Sequence, residues 1–218
     1  MKKISLLLAA ALSIASCANN NQKTQEQMQT QSQTEPVVVM ETNYGTMKIQ
    51  LYNNTPAHRD NFLKLSKSGF YDGLKFHRVI QGFMIQGGDP LSKDDSTASR
   101  WGTGDVGYTI PAEFVKENRH CKGALAAARL GDMANPRRAS SGCQFYIVQS
   151  ESGCSHLDGQ YTVYGQTIEG LDVIDKIAAV STDPYDRPLE SVIIKSVKLE
   201  EPVDSTAAAQ AADSLKVE

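Results

Sequence analysis

The chemically richest stretch of the chain is Phe76-His77-Arg78-Val79-Ile80-Gln81-Gly82-Phe83-Met84-Ile85-Gln86-Gly87-Gly88-Asp89. It sets one cation, Arg78, and one side-chain amide, Gln86, among large apolar groups that include Phe83 and Met84. A guanidinium stays charged at any relevant pH and only donates hydrogen bonds. Embedded in apolar surroundings, it suits either stabilisation of a polar atom in a desolvated ligand or a structural ion pair. Phe83 and Met84 are adjacent, so on a straight strand they would point to opposite faces. For both to line one pocket the chain must bend there, and Gly82 permits that. His77 reads as a hydrogen-bonded structural histidine.

Other chemical signals are weaker. Gly102-Thr103-Gly104-Asp105-Val106-Gly107 has GxGxxG spacing. The extended Tyr108-Thr109-Ile110-Pro111 follows it, so no helix opens there to hold a dinucleotide phosphate. Cys154 and His156 stand two apart and His120 abuts Cys121, with no second pair at zinc-ligand spacing. No metal is expected on that basis. A hydrolase reading rests on Cys154 and His156 alone, since no GxSxG occurs. A net charge of −3 excludes a nucleic-acid footprint.

The run from Phe76 to Asp89 resembles the signature of the cyclophilin-type peptidyl-prolyl isomerases. Three further segments match that family in order. They are Gly123 to Ala128 (GALAAA), Ser141 to Ile147 (SGCQFYI) and Leu157 to Gly165 (LDGQYTVYG). The resemblance spans residues 36–200. It implies a mainly β fold: a closed, eight-stranded antiparallel barrel capped by two α-helices. It implies peptidyl-prolyl cis–trans isomerase activity on proline-containing polypeptides, with no cofactor and no nucleic-acid partner. Carried over by position, Arg78 and Gln86 are the catalytic candidates. Phe83, Met84, Ala128, Gln144, Tyr146, His156, Leu157 and Tyr161 are the substrate-binding candidates.

The physical demands of that reaction fit these residues. An X-Pro bond turns slowly because amide resonance sets a barrier of roughly 18–20 kcal/mol. Catalysis needs the twisted amide bound more tightly than the planar one. Twisting returns a lone pair to the prolyl nitrogen, and a fixed donor such as Arg78 stabilises only that state. An apolar pocket must hold the ring. Gln86 could orient Arg78 or hold substrate backbone, and Gln144 likewise. Departures from the family pattern sit at the rim: His156 where Trp is common, Tyr146 where Phe is common, Tyr161 where His is common, and Arg129 where Asn is common. Two insertions stand out, Leu91–Arg100 and Leu130–Arg138, and Arg137 with Arg138 reads either as a basic lip to the groove or as simple solvated charge. A rival reading keeps the groove as a non-catalytic proline-peptide binding module or chaperone.

These groups need a scaffold, and the chain supplies the signs of one. Val37–Met40 and Met47–Leu51 read as a hairpin around Asn43-Tyr44-Gly45. Thr55-Pro56 opens a helix that Gly69 stops, and Leu171–Ala178 reads as a second helix. Short strands are expected at 76–80, 83–86, 124–128, 144–149 and 162–165, and a last one at Ser191–Leu199. All aromatic residues lie between Tyr44 and Tyr185 and all glycines between Gly45 and Gly170, which confines the packed domain. Ahead of it, Lys2 and Lys3 precede the apolar Ile4–Ala15, and Ile14-Ala15-Ser16-Cys17 resembles a bacterial lipoprotein signal. A plain signal peptide is the alternative. The expected organisation is a signal at 1–16, an acylated Cys17 with a disordered polar tether at 17–35, the isomerase domain at 36–200 and an Ala-rich tail at 201–218. The protein is then expected to be a monomer in the bacterial cell envelope, periplasm-facing or surface-exposed, with its membrane contact through the lipid. Cys143 is expected to be buried and unpaired, and a Cys121–Cys154 bridge is one arrangement of the remaining thiols.

Overall fold

The computed structural model describes residues 34–201. The signal, Cys17, almost all of the tether and residues 202–218 of the tail lie outside the described residues.

The domain is built on one antiparallel sheet. Its strands are β1 (Val37–Thr42), β2 (Gly45–Leu51), β3 (Arg78–Ile80), β4 (Met84–Gly87), β6 (Ala124–Ala127), β8 (Phe145–Val148), β9 (Val163–Glu169) and β10 (Ile194–Leu199). The order across the sheet is β10-β1-β2-β9-β6-β8-β4-β3. Two short strands missed in the sequence, β5 (Thr109–Ile110) and β7 (Ser140–Ser141), pair beside it. The expected barrel is not closed strand to strand, because β3 and β10 are the two ends of the order. Their edges meet through the segments just before them. Lys75 bridges to Ile193, Phe76 N donates to Val192 O at 2.9 Å, and Ile194 N donates to Leu74 O at 2.8 Å. β3 is only three residues long, too short to carry a ladder across the seam.

The pleat sorts side chains to two faces. Along β6 and β8, Leu125, Ala127, Phe145 and Ile147 enter the main core with Phe62, Ile174 and Ile177. Their alternates Ala124, Ala126, Tyr146 and Val148 join Met84 and Val163 in a second cluster on the other face. Both strands are therefore buried on both sides. The second face is where the functional groups gather.

Two helices cover the core. α1 (Pro56–Lys67) begins at the expected Thr55-Pro56, but the Thr55 side chain does not cap it. Glu113, from a distant loop, accepts from the Ala57 and His58 N–H groups at 3.1 and 3.0 Å, satisfying donors that a helix start leaves open. α2 (Leu171–Ala178) has the expected bounds and buries Val173, Ile174 and Ile177. Among the described residues no helix is long and apolar enough to cross a membrane.

Candidate active site

A cavity of about 130 Å³ opens on the second face of the sheet, lined by Arg78, Phe83, Met84, Gln86, Ala128, Arg129, Tyr146, Leu157 and Tyr161. Strand parity brings Arg78, Met84, Gln86 and Tyr146 together. Arg78 pairs with Gln86 across β3 and β4, and Gln86 pairs with Tyr146 across β4 and β8. The bend that Gly82 was expected to permit is present. β3 ends at Ile80, Gly82 adopts φ 79°, and Phe83 N donates back to Ile80 O at 3.1 Å. Phe83 thus turns toward the same cavity as its neighbour Met84.

Arg78 is half-exposed at the cavity edge, and its Nε donates to Asp186 Oδ2 at 3.4 Å. Asp186 belongs to a loop that nothing in the sequence linked to Arg78. Gln86 does not hold Arg78. Its amide donates instead to Gln144 Oε1 at 3.2 Å. Gln144 is off the cavity wall, bound through Nε2 to the carbonyls of Gly102 and Gly104 at 3.1 and 2.8 Å. The GxGxxG segment therefore serves this clamp. Asp89 accepts from the N–H groups of both Gly102 and Gly104, and a Cβ at Gly104 would collide with the Asp89 carboxylate.

Tyr146 carries a buried polar chain behind the wall. Its hydroxyl lies 2.9 Å from His120 Nε2, and His120 Nδ1 lies 2.8 Å from Asp158 Oδ1. The carboxylate holds the proton on Nδ1, so Nε2 accepts from the tyrosine hydroxyl. Burial lowers the His120 pKa against the pull of Asp158 and raises that of Tyr146 well above the usual phenol range, so both stay neutral. Tyr161 meets Tyr146 edge-on at 5.9 Å, and the Arg129 guanidinium covers the Tyr161 ring at 4.4 Å.

Arg129 was noted in the sequence only as a departure. It forms part of the wall, with Nε donating to Gln160 O at 2.9 Å and Nη1 to Asp132 at 2.7 Å. Asp132 also receives Arg138 at 2.9 Å, so Arg138 fastens the second insertion through this carboxylate. His156 is exposed and outside the cavity, stacked on Phe83 with centroids 6.3 Å apart. It is a rim residue.

His77 departs from expectation. It is buried, but neither ring nitrogen has a partner, and burial lowers its pKa to about 4. Cys143 is buried and unpaired as expected, while Cys121 and Cys154 are unbridged, the first exposed and the second buried. Among the described residues no group of three or more His, Cys, Asp or Glu could hold a metal ion. A second constellation passed unseen in the sequence: Ser140 Oγ lies 2.9 Å from His58 Nε2, and His58 Nδ1 lies 2.6 Å from Glu113 Oε2. The order is that of nucleophile, base and orienting carboxylate. Ser140 is 1% exposed and His58 2%, so no acyl group can reach the hydroxyl. These three residues tie α1 to β7.

The sequence model described as "Cyclophilin type peptidyl-prolyl cis-trans isomerase/CLD" matches residues 37–199. A peptidyl-prolyl cis-trans isomerase of Arabidopsis thaliana is 37% identical over 163 residues, which cover 74% of this chain and 94% of the relative. A larger Streptococcus pyogenes protein, whose name joins a phosphatase to such an isomerase, is 34% identical over 201 residues. The match covers 79% of this chain but only 40% of that protein's length. The crystal structure of a Cryptosporidium parvum cyclophilin type isomerase, obtained in the presence of the dipeptide Ala-Pro, superposes with a TM-score of 0.66 at 30% identity. That match covers 76% of this chain and 99% of the other.

Proposed function

The chain belongs to the cyclophilin type peptidyl-prolyl cis-trans isomerase family, and on that premise we propose that it accelerates X-Pro rotation in exported or envelope proteins, with Arg78 as donor to the pyramidalised prolyl nitrogen. One observation carries this reading: a half-exposed guanidinium at the edge of a cavity walled by Phe83, Met84, Tyr146, Leu157 and Tyr161. The ring of proline enters among those side chains. The guanidinium then faces the nitrogen that becomes basic only as the amide twists, which is a bond made in the transition state and not before.

Magnitudes divide the work. A 10⁴-fold acceleration requires about 5.5 kcal/mol. A hydrogen bond from a charged donor supplies roughly 1.5–3 kcal/mol. The remainder falls to the apolar walls, which disfavour the planar, more polar amide and fix the ring while the preceding carbonyl turns. Gln86, held by Gln144, presents a fixed amide beside Arg78 for the substrate backbone. Substrates are proline-containing polypeptides, in keeping with the Ala-Pro dipeptide used with the Cryptosporidium parvum relative.

The amino-terminal pattern of Lys2, Lys3, an apolar run and Cys17 supports a lipid anchor in the bacterial envelope. Cys17→Ala is expected to release the protein from membranes on fractionation, and a wild-type chain found in the soluble fraction would refute the anchor. The catalytic reading is tested by the isomerisation rate of an X-Pro model peptide. Arg78→Ala is expected to lose roughly 10- to 150-fold in kcat/KM. Equal rates in both proteins would sink the Arg78 assignment, and binding of the peptide without turnover by the wild type would leave the non-catalytic module instead.

A further inference from the structure

Arg78 has one hydrogen-bonding side-chain partner among the described residues, and it lies outside the family signature. Asp186 Oδ2 accepts from Arg78 Nε at 3.4 Å, and the Asp186 backbone carbonyl accepts from the N–H of the next residue, Val79, at 2.8 Å. The same residue thus grips both the strand and the side chain. Asp186 stands at φ 63°, one of two non-glycine residues in the left-handed region among the described residues. Such a conformation is costly for a side-chain-bearing residue and persists where the surroundings over-determine it. They do so here. Asp183 Oδ1 accepts from Tyr185 N and Arg187 N at 2.7 and 3.0 Å, Asp183 O accepts from Asp186 N at 3.0 Å, and Thr182 bridges to Pro188.

We propose that Asp186 is a positioning residue for Arg78: by taking the Nε–H it sets the guanidinium plane and leaves both Nη groups to face the cavity. The proposal rests on Arg78 being the donor in isomerisation. Arginine has a long, rotamer-rich side chain, and a donor that must be ordered during each turnover loses part of its effect to that ordering. A carboxylate stapled to the backbone beside it removes that cost in advance. The pair is half-exposed, so its effect is modest and is weakened by salt.

The full chain carrying Asp186→Gly tests this. Glycine relieves the left-handed strain while freeing the unfolded chain, so the melting temperature is expected to stay near that of the wild type. With an X-Pro model peptide, kcat is expected to fall about three- to fivefold with KM nearly unchanged. Hydrogen exchange at the Arg78 Nε–H, followed by NMR and assigned by its loss in Arg78→Lys, is expected to quicken. Asp186→Asn tolerates the same backbone and still offers an oxygen, so it is expected to recover part of both. Wild-type kcat and exchange in a folded Asp186→Gly would overturn the positioning role. So would an equal loss of kcat when Asp186→Gly is placed on Arg78→Ala. Should the glycine variant not fold, salt replaces it: kcat is expected to drop with ionic strength in the wild type but not in Asp186→Asn, and a flat wild-type profile would overturn the role. Full activity in Arg78→Ala sinks the donor reading itself. Loss there with wild-type behaviour in Asp186→Gly sinks only the positioning.

Discussion

Gln86 and Gln144 form an amide-to-amide hydrogen bond of 3.2 Å between neighbouring parts of the sheet, and the second glutamine is pinned to two glycine carbonyls. The orientation of Gln86 beside Arg78 is therefore set by a loop more than fifteen residues further along the chain. Gln144→Leu keeps much of the volume and removes the clamp. It is expected to lower stability by about 1–3 kcal/mol in urea unfolding, because the glycine carbonyls and Gln86 lose a buried partner. kcat/KM should fall with it, and unchanged values of both would disconnect the loop from the site.

Tyr146→Phe separates the wall from the polar chain behind it. The ring that faces the cavity is retained, so kcat/KM is expected to stay within about threefold of wild type. His120 Nε2, however, loses its partner in a buried position. A destabilisation of about 1–3 kcal/mol is expected by thermal or urea unfolding. A large kinetic loss with unchanged stability would instead place the hydroxyl in the chemistry.

His77 makes the domain acid-sensitive. Burial holds its pKa near 4, against an ordinary value of 6.5. Above pH 6.5 the ring is neutral folded or unfolded, and its contribution is fully present. As the pH falls from 6.5 toward 4 the unfolded chain takes up the proton first, and about 3 kcal/mol of stability is lost across that window. His58 and His120, lowered by burial in spite of Glu113 and Asp158, act in the same direction. His77→Leu is expected to flatten the pH dependence of unfolding and to be neutral or stabilising at pH 7, since both ring nitrogens lack partners. A profile as steep in the variant as in the wild type would exclude His77 as the source.

Glu113 is expected to be a stability residue with no direct part in catalysis. Glu113→Ala removes the acceptor for two N–H groups of α1 and for His58 Nδ1. Faster amide hydrogen exchange in the first turn of α1 is the expected sign, with a loss of about 1–2 kcal/mol. Unchanged exchange at Ala57 and His58 would show that the cap contributes nothing.

How much of this was legible in advance follows from the range of the forces involved. Residues three or four apart on a helix, or two apart on a strand, meet through local geometry alone. The bounds of α2, the hairpin of β1 and β2, and the bend at Gly82 could thus be read from the chain. So could most of the wall, with Phe83 and Met84 in the run that resembles the family signature and Tyr146, Leu157 and Tyr161 in the segments that accompany it. Partners of the functional groups could not. Asp186 is 108 residues from Arg78, Gln144 is 58 from Gln86, and Glu113 is 55 from His58. No period or motif links such positions, since a hydrogen bond is made in space and leaves no trace in spacing. The failure to close strand to strand at β3 and the unpartnered ring nitrogens of His77 are of the same kind. Arg129 joined the wall, and Gln144 and His156 left it, only on folding, whereas the motifs in the chain were enough to pick out Arg78, Phe83, Met84, Gln86, Ala128, Tyr146, Leu157 and Tyr161. Only the folded chain decided what holds them there, because that depends on which loops the sheet brings to its edges.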